Sequence, residues 1–162
     1  FDGSTETFER LRRAGTVEII LVVDDKILIQ KQEQPARPDP YLCLVGGRID
    51  PGEEPLAAAK RETLEESGYK ADTWVLIDSI QMTSKIDWTM HLYIARDSKK
   101  IQEQKLDAGE KIEDQLVSFD KFIDIIESNE LRHIHEEIRI LCIRAKHHKP
   151  SYDELKKRIF GG

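Results

Sequence analysis

The stretch from Pro55 to Gly68 constrains the fold more than any other part of the chain. Pro55 suits the first position of a helix, where a missing N–H costs nothing. Ala57-Ala58-Ala59 propagates that helix, and Ser67-Gly68 supplies a C-terminal stop. Ahead of it, two β-rich runs between Val17 and Gln32 flank Asp24-Asp25, which predicts a hairpin. Behind it, residues 73–80 and 89–95 are β-rich again. A helix set among strands must bury its apolar side on a sheet, so the fold class is α/β.

The remaining segments are placed by the same rules. Pro35, Pro38 and Pro40 remove backbone donors and predict a loop over 33–40, followed by a short strand, Tyr41–Val45, that runs into Gly46-Gly47. Residues 97–114 are polar and long enough for a mobile functional loop. After a short strand at Gln115–Ser118, Phe119, Phe122, Ile123 and Ile126 fall on one helical face. A further helix, about Glu130 to Lys146, gathers Ile134, Ile138, Leu141 and Ala145. Residues 150–162 read as a C-terminal tail, either a short helix or frayed. One domain over 1–162 is expected, with residues missing upstream because the chain starts at Phe1 and not Met.

Composition removes several classes. Hydrophobic residues at 39% and charged residues at 35% fit neither a collagen-like nor a membrane-spanning chain. No apolar run is long enough to span a bilayer, and Phe1–Arg13 lacks the order of a signal peptide. A net charge of −6 argues against general affinity for nucleic-acid backbones. Cys43 and Cys142 form no CxxC pair, so the expectation is two small buried thiols in a reducing, cytoplasmic setting.

Chemistry concentrates on the helix. Arg61, Glu62, Glu65 and Glu66 place three carboxylates on one narrow stripe, since Glu65 and Glu66 lie within one turn of Glu62. Like charges at this spacing, near a helix C-terminus, oppose both each other and the macrodipole. A divalent cation reverses that sign, and oxygen-only ligands favour Mg²⁺ or Mn²⁺. Ala58 and Ala59 leave space beside the stripe, while Leu56, Ala57 and Leu64 are expected to anchor the opposite side on a sheet.

Residues 47–69 read Gly47, five residues, Glu53, seven residues, Arg61-Glu62, then Glu65-Glu66 and Gly68-Tyr69. This resembles the Nudix box, G-x5-E-x7-R-E-U-x-E-E-x-G-U, with Thr63 at a position where the family prefers an apolar residue. The resemblance implies an α/β/α sandwich around a mixed sheet. It also implies hydrolysis of a nucleoside diphosphate linked to another moiety, with Mg²⁺ or Mn²⁺ as cofactor. By analogy Glu62, Glu65 and Glu66 coordinate metal, with the carbonyl of Gly46 as an added ligand. Glu53 and Arg61 hold loop against helix, and Gly47 and Gly68 are structural positions of the motif. The cations neutralise charge on the diphosphate and lower the pKa of an attacking water.

The resemblance also implies a base to take the proton from that water: Glu110 on the 97–114 loop is the candidate, with Glu113 second and Glu65 as the alternative within the box. Outside the box the chain is similar to the ADP-ribose pyrophosphatase branch from about Val17 to Lys146. It departs from that branch at Ser84, where many members carry proline, and at Gln34, where Arg is common; Arg37 is the compensating cation. Arg48 and Trp88 complete the substrate-binding candidates, with Trp74 as the lesser alternative to Trp88. His133, His135, His147 and His148 lack partners at ligand spacing and read as a solvated helix face.

The implied partner is a small nucleoside diphosphate derivative, ADP-ribose or a nucleotide sugar, with neither membrane nor nucleic acid expected. A homodimer is expected from the family branch. Two alternatives stand beside the hydrolase: a nucleotide-sensing domain without turnover, and an enzyme for nucleoside triphosphates or capped RNA.

Overall fold

The computed structural model describes residues 3, 5–35, 37–132 and 134–162, and of Arg37 and Pro38 the backbone alone. The predicted contacts of Arg37, and His133 as a whole, lie outside what is described. Among the described residues the chain runs β1 (Leu11–Arg12), β2 (Thr16–Val23), β3 (Lys26–Gln34), β4 (Arg37–Cys43), β5 (Val45–Arg48), α1 (Pro55–Ser67), β6 (Tyr69–Thr83), β7 (Ile86–Lys100), β8 (Lys111–Val117), α2 (Phe119–Glu127), α3 (Glu136–His147) and α4 (Lys149–Phe160).

Apart from Glu18, β2 buries apolar residues on both faces because both are covered. Val17, Ile19, Leu21 and Val23 meet Ala58 and Ala59 of α1, whereas Ile20 and Val22 meet α2, α3 and α4 through Phe122, Ile126, Cys142 and Ile159. The result is an α/β/α sandwich. Its sheet is mixed: β2 runs parallel to β7 from Thr16↔Met90 to Leu21↔Ala95, and β7 pairs antiparallel with the long β6. On its other edge β2 pairs first with β5, over Thr16–Ile19, and then with β3, over Leu21–Val23. β3 in turn pairs with β8 on one edge and with β2, then β4, on the other. The two hairpin strands therefore part beyond Leu21 and Leu28, and the wedge between them opens beside Gly46-Gly47.

Several expectations are corrected. Most of the loop expected over 33–40 is strand: residues 33 and 34 end β3, and β4 starts at Arg37. β4 is the last strand on its side of the sheet, where proline costs no ladder bond that a central strand would need. β6 and β7 each extend well beyond the runs 73–80 and 89–95, and 97–114 is shortened at both ends by β7 and β8. Residues 130–132, 134 and 135 are not helical, since Leu131 bridges to Leu42, Asn129 takes φ 60°, and α3 starts after His135. His135 is buried and caps α3, its Nδ1 accepting the Glu137 N–H at 3.3 Å, so it is not part of a solvated face. The tail is α4, which buries Leu155 and Ile159 in the core.

The anchoring face of α1 also differs from expectation. Ala58, Ala59, Thr63, Glu66 and Ser67 are buried, while Leu56 and Ala57 are exposed and Leu64 is only half-buried. Small side chains let the helix lie close to the sheet. The two buried hydroxyls are satisfied within the helix, Thr63 Oγ1 donating to Ala59 O at 2.7 Å and Ser67 Oγ to Thr63 O at 2.5 Å.

Candidate active site

The β5–α1 connection and the C-terminal half of α1 form one wall of an open cleft of about 560 Å³. Gly46, Gly47, Glu62, Glu65 and Glu66 line it, together with Gln32 and Gln34 of β3 and Lys105, Asp107 and Glu110 of the β7–β8 loop. Gly47 is required by close approach: a Cβ there would fall 2.3 Å from the Glu62 carboxyl carbon. Gly46 N–H donates to Glu66 Oε2 at 3.2 Å, which ties the strand to the last turn of the helix. Gly68 ends the helix with φ 73°, and a side chain there would strike the carbonyl oxygen of Gln102 at 2.0 Å.

Arg61 organises the acids around it. Its Nε and Nη2 grip both oxygens of Glu53 at 3.0 and 2.9 Å, and Nη2 also donates to Arg48 O at 2.9 Å. Its remaining Nη1 reaches Glu62 Oε1 at 2.9 Å and Glu65 Oε2 at 3.1 Å. Glu53 Oε2 accepts the Asp50 N–H, so one ion pair fixes loop to helix and holds the Glu53 carboxyl below its usual range.

Burial acts the other way on the cleft acids. It pushes the Glu66 carboxyl well above the ordinary range, only partly offset by Gly46 N–H, with Glu62, Glu110 and Asp114 adding to the rise. Glu62 is likewise raised by burial against the pull of Arg61. Among the described residues no three acids or histidines close on one point as a ready-made cage; Arg61 Nη1 engages Glu62 and Glu65, and the Gly46 amide engages Glu66. That arrangement fits Mg²⁺, which takes one or two carboxylates and completes its shell with water and phosphate oxygens.

The β7–β8 segment is laced to the same helix end. Lys105 N–H donates to Glu65 O at 2.8 Å, and Gln104 Nε2 to Glu66 O at 2.6 Å. Glu110 stands in the turn that follows, its Oε2 accepting the Asp107 N–H at 3.3 Å. Glu113 lies in β8 opposite Lys31 and does not line the cleft.

A second cleft of about 320 Å³ adjoins the first, sharing Gln32, Gln34, Gly46 and Gly47 with it. Trp88 lies at its wall, inside β7 rather than ahead of it. Its Nε1 donates to Thr16 Oγ1 at 3.1 Å, and the Arg13 guanidinium sits 4.2 Å from the ring centroid. Glu18 is buried at the base of this cleft; its Oε2 accepts the His135 N–H at 2.8 Å, and burial pushes its carboxyl up to about 8. Arg48 is exposed at the rim of the acidic cleft. Trp74 packs edge-on against Tyr93 in the α1-side core. Sequence reasoning singled out Gln34 only as the place where Arg is common, and missed Gln32 and Glu18, whose one signal was a polar residue at a strand position that alternation assigns to the interior.

The sequence model of the NUDIX domain matches residues 12–145. The chain belongs to the Nudix family. Over 133 residues it is 27% identical to the ADP-ribose pyrophosphatase of Bacillus subtilis, covering 80% of this chain and 72% of that protein. It is 30% identical over 130 residues to the methanol dehydrogenase activator of Bacillus methanolicus, covering 78% and 64% respectively. Among solved structures, that of an ADP compounds hydrolase superposes with a TM-score of 0.69 at 22% identity, over 83% of this chain and 73% of that one. As in that structure, the Nudix chain wraps helices around a mixed sheet, and its matched segment contains the whole of the acidic cleft.

Proposed function

We propose that this Nudix hydrolase cleaves the diphosphate of a nucleoside diphosphate linked to a sugar, ADP-ribose being the preferred substrate. One observation carries the reading: the three glutamates of α1 share a cleft with Glu110 and the Gly46-Gly47 turn, with Arg48, Arg61 and Lys105 as the cations in its lining. Glu62, Glu65, Glu66 and the Gly46 carbonyl hold Mg²⁺ or Mn²⁺, which when bound offsets charge on the diphosphate and lowers the pKa of water. Glu110, kept beside the cleft by its loop, takes the proton from the attacking water; Glu65, the most exposed of the three on α1, is the alternative base. Arg48 meets the diphosphate from the rim, and the Trp88 ring offers a stacking wall for the nucleoside. Similarity to the ADP-ribose pyrophosphatase of Bacillus subtilis supports the ADP-ribose assignment.

A cytoplasmic setting and a homodimer belong to the same reading. Free Cys43 and Cys142 support the first, and the exposed Phe8 and Leu11 beside β1 support the second. Light scattering over a concentration series that shows only monomer removes the dimer.

The test is turnover of ADP-ribose, ADP-glucose, GDP-mannose, NADH, diadenosine polyphosphates and nucleoside triphosphates with Mg²⁺ or Mn²⁺, the products separated by chromatography. AMP and ribose 5-phosphate from ADP-ribose is the expected result. Tight binding with no turnover of any compound overturns it in favour of a sensor.

A further inference from the structure

Two glutamines stand where the sheet otherwise buries apolar side chains. Gln30 is fully buried and Gln32 nearly so, both on the face of β3 that carries Leu28 toward α1. A buried amide is costly unless its donors and acceptors are met. These two are met by one another and by their cross-strand neighbours. Tyr41 Oη donates to Gln32 Oε1 at 3.0 Å, Gln32 Nε2 donates to Gln30 Oε1 at 3.2 Å, and Gln30 Nε2 donates to Asp114 Oδ1 at 3.2 Å. The register places the partners side by side, Gln32 opposite Tyr41 and Gln30 opposite Asp114.

The row has a direction. Asp114 ends it as an acceptor, so each amide in turn must present its N–H toward Asp114 and its oxygen toward Tyr41. A flipped amide would set N–H against N–H and oxygen against oxygen. One N–H of Gln32 is spent on Gln30, and the other has no protein partner among the described residues. Gln32 is also one of the few side chains that line both clefts, at the seam where the two adjoin.

We propose that Gln32 is a substrate-contacting residue, donating its second N–H to a phosphoryl oxygen of the diphosphate at that seam. Tyr41, Gln30 and Asp114 are positioning residues that hold the amide in this sense. The proposal rests on the reading that the two clefts take the two halves of a nucleoside diphosphate derivative. Gln30 lines neither cleft, so it acts only through Gln32. Leucine or methionine side chains would fill the same space without desolvating two amides, which is why a polar row at this place points to a ligand and not to stability.

The experiment is a double-mutant cycle read by calorimetric binding of ADP in the presence of Mg²⁺, with adenosine as the comparison. Gln32→Ala is expected to weaken ADP about tenfold, the worth of one charge-assisted hydrogen bond, and to leave adenosine unchanged. Gln30→Met is expected to weaken ADP severalfold in the wild-type background and to add nothing in Gln32→Ala. If Gln30→Met does not fold, Tyr41→Phe provides a cycle at the half-buried end of the row, where the side chain also lines the second cleft. Additive effects, an unchanged ADP affinity in Gln32→Ala, or no ADP binding by the wild type each overturns the proposal. Wild-type protein that binds ADP but cleaves no ADP-ribose would sink the hydrolase reading while the cycle still decides the role of Gln32.

Discussion

Glu18 shows what burial does to a single carboxyl in this molecule. Its folded pKa lies near 8 against an ordinary 4.5, so the folded state holds a proton that the unfolded state gives up in between. The stability this represents is complete below pH 4.5 and is lost as the pH rises through about 8. Glu18→Gln keeps the acceptor for the His135 N–H and removes the titration. We therefore expect its melting temperature to change less between pH 5 and pH 9, with the variant the more stable at the alkaline end by on the order of a few kcal/mol. Parallel pH-dependent melts of the two proteins check this; curves of equal slope contradict it. Gly47→Ala acts at the same scale with the opposite emphasis. The added Cβ meets the far end of a flexible side chain, the Glu62 carboxyl, so the fold gives way cheaply while the carboxylate moves. Stability within about 1 kcal/mol of wild type is expected. Affinity for Mn²⁺, followed by calorimetry, should fall about tenfold, the effect of disturbing one ligand. At this scale the Glu62, Glu65 and Glu66 stripe was legible from spacing alone, because helical geometry fixes which side chains share a face. Glu18 and Gln32 were not, since only the parting of β2 from β3 turns buried strand positions into cleft walls.

The helix α1 rests on the sheet through Ala58 and Ala59, not through its leucines. Sequence patterning favoured Leu56, Ala57 and Leu64 because they lie on the side of the helix opposite the glutamates, but a helix that must bring Glu66 to within hydrogen-bond reach of Gly46 has to lie close, and only small side chains allow that. Ala59→Leu should therefore overpack the interface, costing about 1–3 kcal/mol in urea unfolding. Catalytic turnover should fall along with it as the glutamates lift from the cleft. A variant with native stability would show that the helix has room to spare. The prolines of β4 misled for a related reason. Proline forbids a central strand, yet on the outer side of β4 no ladder partner needs its N–H, and knowledge of strand order is what distinguishes the two cases.

At the scale of the whole molecule, two helical layers clamp one mixed sheet, and the last layer closes with α4. Leu155 and Ile159 are buried against the core that α2 and α3 share with β2. Burying two such side chains contributes about 3–6 kcal/mol, a large part of the usual 5–15 kcal/mol for a domain. Ending the chain at His148 should lower the melting temperature by about 10 °C or more. Calorimetry of the shortened chain tests this, and an unchanged transition would mean that α4 is dispensable. The α/β class and the carboxylate helix were readable before any coordinates. The role of the last residues was not, since Leu155 and Ile159 are too few to mark a core helix without the surface they cover.

The proposed diphosphate cleavage requires the α1 carboxylates to hold a divalent cation. Its most direct measurement is the rate of ADP-ribose hydrolysis against Mg²⁺ concentration for the wild type and Glu66→Gln, with unfolding curves confirming that both are folded. Saturable Mg²⁺ dependence in the wild type and a loss of at least about a hundredfold in Glu66→Gln is the predicted result. Equal rates in the two proteins, or hydrolysis indifferent to chelation of the metal, would contradict it.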